Sequence, residues 1–379
     1  RRQPMPPVSR SASQPELTAL FASVQQHFLN VIVPLWQGPG WNCDMALPYE
    51  ALDASHQPLL PQRYRAMACA RQLYLFSSLI GQVPAAEERA ATLFHSLQQH
   101  FQDVEHGGWF YSVDPHGAPL DQRKDLYTHA FILFACAHYW DKVREPQVES
   151  VLNAALQVIA QHFATGDGLY EASLDRDWSS LNSGPLQNPL MHLAEAFLAT
   201  LSVREDNAVQ DALVDLCTTM HKRFIDPQHD VLMEKPLGVV DNWFEPGHQF
   251  EWYFLLESSA LLRGSALHTS LERAFALTEQ LGVDQQTGAV QAMLNLEGLS
   301  KDATQRIWAQ AEYLRALTLR PDSETAVLQQ LQALQQRHLH AGGWYECRDE
   351  QGEVSRQDMP STTPYHLATC YRGLADYLR

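Results

Sequence analysis

The chain has 379 residues, 45% hydrophobic and 10% aromatic, with 27 Lys and Arg against 44 Asp and Glu for a formal net charge of −17. That apolar content excludes a disordered chain, and the acidic balance excludes nucleic acid or anionic lipid as the main partner, because both need a basic surface. The length exceeds a usual single domain, so either two domains or one large closed architecture is expected.

The first residues, RRQPMPPVSRSASQPE, are basic and rich in Pro and Ser, with no apolar run behind them. They read as a flexible arm over 1–15 rather than a signal peptide. No apolar stretch approaches the roughly 20 residues of a membrane span, so no membrane partner is expected. The cysteines at 43, 69, 136, 217, 347 and 370 never form C-x-x-C. Their scatter fits neither a zinc site nor a disulfide framework and points to a reducing, cytoplasmic setting.

From residue 86 onward two kinds of segment alternate. AEERAATLFHSLQQHF (86–101) and SETAVLQQLQALQQRHL (323–339) are amphipathic and suit outer helices, the Gln run at 329–336 being a solvated face. HAFILFACAHYW (129–140) and EWYFLLESSALL (251–262) are apolar almost all round, which marks buried helices. Between them recur short Gly- or Asp-rich segments centred on Trp109, Leu169, Val231, Val290 and Trp344, spaced 60, 62, 59 and 54 residues apart. Each resembles a short β-hairpin. Five such spacers plus an N-terminal unit predict six helical hairpins closing into an all-α (α/α)6 barrel, and no linker divides residues 16–379, which read as one catalytic domain.

The same period reappears in the polar residues that interrupt the apolar helices. Arg71, His129, His192, His248, Trp308 and His366 are spaced 58, 63, 56, 60 and 58 apart. Equivalent positions on successive inner helices converge at one end of a closed ring, so these six are expected to line one concave pocket. A single His beside apolar residues is ordinarily a satisfied core group, but four at the starts of apolar helices point to a site. Glu195 lies three residues after His192 and Glu251 three after His248, so each pair shares a helix face. A carboxylate beside an imidazole fixes its tautomer and raises its pKa, which suits acid/base work near neutrality. Glu312 follows Trp308 by four.

Three chemistries could use such a pocket. Metal-assisted chemistry lacks local ligand motifs such as H-x-x-x-H, leaving only long-range ligation by His192, His248 and His366. Glycoside hydrolysis needs two carboxylates across the bond, whereas the conspicuous residues here are His. Proton transfer at the carbon beside a sugar carbonyl needs poised bases and a cation for the developing enediolate, and His248, His366 and Arg71 supply that set. Among Trp109, Trp243, Trp252, Trp308, Trp344, Tyr111 and Tyr127, Trp308 is the candidate sugar platform. No phosphate loop, dinucleotide fingerprint or Ser nucleophile elbow occurs.

ARQLYLFS (70–77), GGWFYSVD (107–114), NPLMHLAEAFL (188–198), PGHQFEW (246–252), RIWAQAEYLRAL (306–317) and PYHLATCYRGL (364–374) together resemble the N-acylglucosamine 2-epimerase superfamily, from about residue 60 onward. The superfamily includes N-acylglucosamine, cellobiose and mannose 2-epimerases and aldose–ketose isomerases acting on mannose and sulfoquinovose. The resemblance implies an (α/α)6 barrel and a proton transfer that needs no cofactor and no metal, through a cis-enediol. It implies His248 and His366 as the acid/base pair and His192 as a third pocket His. Arg71 matches an Arg that holds substrate oxygens, and Asn188, Glu251, Trp308 and Tyr111 look like sugar contacts. His129, Glu195 and Glu312 complete the candidate binding set.

Two departures narrow the substrate. Met67 stands four before Arg71, where some isomerases carry Trp, and the stretch before His248 offers Lys235 but no Arg. With the net charge, this favours a neutral hexose over a sulfonated one. The resulting expectation is an aldose–ketose isomerase, monomeric or homodimeric, interconverting D-mannose and D-fructose. The alternative is a 2-epimerase on the same barrel, for mannose/glucose, cellobiose or N-acylglucosamine, and a non-catalytic sugar-binding barrel is the reading from another class.

Overall fold

Short polar caps and prolines set where the helices begin. Asp125 accepts from the Thr128 backbone N–H (3.0 Å) at the start of one, and Pro246 and Pro364 sit in the first turn of two others. There a missing N–H costs nothing and the fixed φ favours the helix. The computed structural model describes residues 10–379. In chain order the helices are α1 Arg10–His27, α2 Val33–Gln37, α3 Ala66–Ser78, α4 Ala86–Ser96, α5 Leu126–Val143, α6 Pro146–Val158 and α7 Gln187–Val203. They continue with α8 Asn207–Phe224, α9 Pro246–Glu257, α10 Ala266–Arg273, α11 Phe275–Gly282, α12 Ile307–Leu317, α13 Glu324–Arg337 and α14 Thr363–Tyr377.

The helices form the (α/α)6 barrel. Its inner layer is α3, α5, α7, α9, α12 and α14, each packed on the next, with α14 returning to α3. The outer layer is α1, α4, α6, α8, the pair α10 and α11, and α13, with α13 packed on α1. Each unit therefore runs outer helix first. The fifth outer helix is split at Ala274, and the outer helices of units one to three pass into single π-helical turns, Phe28–Ile32, Leu97–Phe101 and Ile159–Phe163. α1 begins inside the segment expected as an arm; residues 1–9, the rest of it, lie outside the described residues.

The expected hairpins are smaller than drawn from the sequence, and they do more. Directly after each outer helix an isolated bridge or two-residue ladder closes a tight turn: Gln102 with Trp109, Ala164 with Tyr170, Ile225 with Leu232, Val283 with Val290, and Leu339–His340 with Gly343–Trp344. The next residues pair with the strand that leads into the preceding inner helix, as Ser112–Val113 does with Tyr64–Arg65 and Ser173–Leu174 with Lys124–Asp125. Ala51–Leu52 pairs with Met359–Pro360, so the first and last loops join. One sheet is larger, its strands ordered Val354–Arg356, Cys347–Arg348, Ser300–Arg306 and Gln291–Leu294.

Trp109 and Trp344, the centres of two repeats, are fully buried. The Gln run on α13 is solvated at Gln329 and Gln336, but Gln330 is buried and its amide donates to the Gly288 carbonyl (2.8 Å). That side chain pins the turn after α11 rather than facing water. No helix of the described residues is long and apolar enough to cross a membrane.

A buried charge cluster ties the second and third units. Lys124 is fully buried and its ammonium lies 3.0 Å from Asp103 Oδ2, which also accepts from Arg176 Nε (2.9 Å). Removing one partner of a buried pair strands the other charge. Asp103→Asn is therefore expected to cost about 3–5 kcal/mol, read as a lowered urea midpoint. A midpoint equal to that of the wild type would show that the cluster contributes nothing.

Candidate active site

All six inner helices present residues from their first two turns to one cavity of about 300 Å³, at the small end of ligand pockets. They supply Arg71 (α3), Tyr127 (α5), Asn188 and His192 (α7), His248 and Glu251 (α9), Trp308 (α12), and Thr363 and His366 (α14). Loop residues Glu245, Met293, Arg306, Glu346, Cys347, Arg356, Pro360 and Thr362 complete the wall. Helix N-termini carry partial positive charge, so a ring of them favours negative charge developing on a ligand.

Each cavity histidine gives Nδ1 to a carboxylate, leaving Nε2 as the ring nitrogen available to a ligand. His248 Nδ1 pairs with Glu234, and Glu245 lies 3.7 Å away. Burial opposes charge on this imidazole, but the two carboxylates outweigh it and hold the pKa up to about 10. Glu234 is itself held by the Gln187 amide (2.5 Å), whose oxygen accepts from the Trp252 indole (2.5 Å). Trp252 is thus a buried support, not a sugar platform. Burial and the neighbouring Glu234 push Glu245 up to about 7 against the pull of His248.

His366 has the opposite character. Its Nδ1 lies 3.0 Å from Glu312 Oε1. Burial, then the positive charge of Arg71, drives its pKa well below the ordinary His range. Burial pushes Glu312 up to about 7, against the pull of Arg315, whose Nη1 lies 3.5 Å away. With Nδ1–H donating to Glu312, His366 keeps a lone pair on Nε2. The Trp308 ring stands beside both histidines, 5.0 Å from the His248 ring and 5.5 Å from that of His366.

His192 Nδ1 lies 3.2 Å from Glu195 Oε1, and burial lowers its pKa despite that partner. Glu195 also accepts from the Tyr365 hydroxyl (2.6 Å) and sits behind the wall. Both Glu251 oxygens and Asn188 Oδ1 are buried without a partner among the described residues. Burial, then Glu312 and Glu195, raises the Glu251 pKa well above the usual carboxylate range, which favours the neutral form that can donate. Arg71 donates to the Tyr127 hydroxyl (2.6 Å) and the Thr362 carbonyl (3.2 Å).

Three groups bring ligand atoms within 4.8 Å of one another: His192, Glu195 and Glu251; Glu234, Glu245 and His248; and Glu251, Glu312 and His366. Their N and O donors are of the kind that hold a divalent cation. The grouping of His192, His248 and His366 as joint ligands, left open by the sequence, does not form among them.

Arg71, Asn188, His192, His248, Glu251, Trp308 and His366 thus share the cavity, with Glu195 and Glu312 behind it. Two candidates stand elsewhere. His129 is completely buried, its Nδ1 donating to the Asp125 carbonyl (2.7 Å) and its Nε2 accepting from the Trp109 N–H (3.2 Å). Burial lowers its pKa to about 4, so it is a neutral clamp on the loop below. The cavity position on α5 belongs to Tyr127, two residues earlier; two helical steps are about 200°, the opposite face. Tyr111 does not line the cavity either: it is half-buried between the guanidiniums of Arg123 (4.2 Å) and Arg63 (5.6 Å).

Sequence reasoning missed Glu234, Glu245, Glu346, Arg306 and Arg356. Glu234 and Glu346 follow the repeat centres Val231 and Trp344 by three and two residues, much as Tyr111 follows Trp109. Their shared place just after a repeat centre was the available signal.

The family model for N-acylglucosamine 2-epimerase (GlcNAc 2-epimerase) matches residues 48–370. The chain is 28% identical over 376 residues to a mannose-6-phosphate isomerase of Rhizobium meliloti (strain 1021), covering 92% of this chain and 94% of that one. It is 34% identical over 158 residues to a D-mannose isomerase of Thermobifida fusca, covering 41% and 38%. Matches to further curated relatives span 49%, 58% and 66% of their length. The fold is similar to that of a cellobiose 2-epimerase from Spirochaeta thermophila DSM 6192, with a TM-score of 0.85, 20% identity and coverage of 97% and 100%.

Proposed function

Since the chain belongs to the N-acylglucosamine 2-epimerase family, we propose that it is an aldose–ketose isomerase for mannose-type hexoses, interconverting D-mannose and D-fructose. The observation that carries this reading is the opposed protonation of two histidines on one Trp ring. His366 Nε2 has a lone pair and His248 carries a proton at neutral pH. A base and an acid poised side by side are what proton transfer next to a carbonyl requires.

In the open-chain sugar, His366 takes the proton from C2. The C2–H electron pair becomes the C1=C2 bond, and the C1 carbonyl pair moves to O1, which receives a proton from His248. Return of the His366 proton to C1, with loss of the O2 proton to His248, gives the ketose and restores both side chains. Arg71 and the helix N-termini around the cavity stabilise the enediolate charge. Asn188, His192 and protonated Glu251 are the partners for substrate hydroxyls. The D-mannose isomerase relative favours this reaction. A 2-epimerase remains the second reading, favoured by the presence of two histidines beside Trp308 in one cavity, because acid and base on opposite faces of C2 would invert that carbon.

Incubation with D-mannose in D2O, followed by NMR, tests the proposal. Fructose is the expected product, with deuterium at C1 in the fraction of turnovers in which the proton on His366 exchanges with solvent before its return. Glucose without fructose would establish the epimerase instead, and recovery of mannose alone, with neither fructose nor glucose formed and no deuterium taken up, would rule out catalysis on this sugar.

A further inference from the structure

The proposed reaction concerns only C1 and C2 of the sugar, and the opposite wall of the cavity is built differently. Cys347 pairs across the sheet with Arg306 on one side and with Arg356 on the other. Residues directly opposite in adjacent strands point to the same face. The three form a row, Arg–Cys–Arg, and all three line the cavity. Neighbouring strands lie about 4.8 Å apart, so the two Arg backbones stand about two such steps from each other. Side chains of that length can close on a single oxyanion.

Neither guanidinium is used up by its neighbours. Arg306 is 30% exposed and meets Asp302 at 3.4 Å. Arg356 is 49% exposed and turns Nε and Nη2 toward Asp358, which leaves the Nη1 edge. Three cavity-wall carboxyls could cancel the charge: Glu245, Glu251 and Glu346. Burial raises the pKa of all three, and the charge that Glu245 keeps is matched by the His248 imidazolium 3.7 Å away. The cavity is therefore far less acidic than the −17 of the whole chain suggests. Cys347 between the arginines is small, leaving room where a longer side chain would fill the gap. Arg306 directly precedes Ile307, the first residue of α12, and so starts two residues from Trp308.

We propose that Arg306 and Arg356 form an anion subsite that receives the phosphate of a phosphorylated hexose while C1 and C2 face His248 and His366. Planar guanidiniums present paired N–H donors that match phosphate oxygens, which a neutral sugar cannot exploit. The proposal rests on the isomerase reading for its reacting end. It revises the neutral-hexose expectation, which used net charge where the local charge decides.

Calorimetric titration of the full chain with inorganic phosphate tests the subsite without needing turnover. Saturable binding is expected, weakened at least tenfold in Arg306→Gln and in Arg356→Gln, with circular dichroism confirming the fold of each. Turnover supplies the second readout: kcat/KM for D-mannose 6-phosphate should exceed that for D-mannose at least tenfold, and the ratio should collapse in the double variant. Absence of phosphate binding to the wild type, or equal kcat/KM for the two sugars, would overturn the subsite. Phosphate binding that depends on both arginines, with neither sugar isomerised, would uphold the subsite and sink the isomerase reading alone.

Discussion

His366→Ala is expected to lower kcat by about 10²- to 10⁴-fold, the usual worth of a positioned general base, with little change in KM. The imidazole reaches the reacting proton rather than the bulk of the sugar, so its loss falls on the chemical step. Its neighbours limit the structural damage: Glu312 remains within reach of Arg315, and Trp308 keeps its contact with the His248 ring. Alanine also leaves a space the size of the lost ring beside the cavity. Added imidazole should enter it and restore part of the rate, most effectively above the pKa of free imidazole, where the neutral form dominates. A merely structural histidine would show no such rescue. Retention of more than a tenth of the wild-type kcat would remove His366 from the role of base.

Glu234→Gln should act through His248 and be visible mainly in the pH profile. In the wild type Glu234 and Glu245 together overcome burial and hold the imidazolium, so the alkaline limb of kcat/KM is expected near pH 10. The amide keeps the size of the carboxylate but removes its charge, and burial then gains ground. The His248 pKa falls, the protonated fraction at any given alkaline pH falls with it, and the limb moves to lower pH. The amide also has one acceptor oxygen for two donors, the Gln187 amide and the His248 N–H. A loss of more than tenfold at pH 8 is expected, smaller near pH 6, with KM much less affected. An unmoved alkaline limb would mean that His248 is not the acid or that Glu234 does not hold its proton.

The barrel was legible from period alone because each unit repeats the same burial problem: one helix surrounded by protein, one half in water. The pocket was legible at five of six ring positions for the same reason. His129 failed because helices of one ring start at slightly different depths. A residue counted by spacing can land on the wrong side of a helix that turns 100° per residue, and Asp125 and Trp109 then satisfy it as a loop clamp. Arg306 and Arg356 were invisible for another reason. They reach the cavity from loop strands whose register depends on pairing with distant loops, Arg306 with Cys347 and Cys347 with Arg356. Helical period carries no information about that pairing. Gln330 shows the same limit in miniature, since the Gln run reads as a polar face and only the Gly288 carbonyl explains its burial.

The pairing of Ala51–Leu52 with Met359–Pro360 has a consequence for how the enzyme comes into being. Helical hairpins are local in sequence and form quickly, whereas this ladder must bring together segments some three hundred positions apart. Arg71 follows one side of the ladder on α3 and His366 lies six residues after the other, and Arg71 donates to the Thr362 carbonyl across that seam. Partly assembled chains can therefore hold most of their helices and still lack the apposition of Arg71 with His366. During refolding, far-ultraviolet ellipticity should recover first and turnover last, with the rate of turnover recovery timing the closing of the seam.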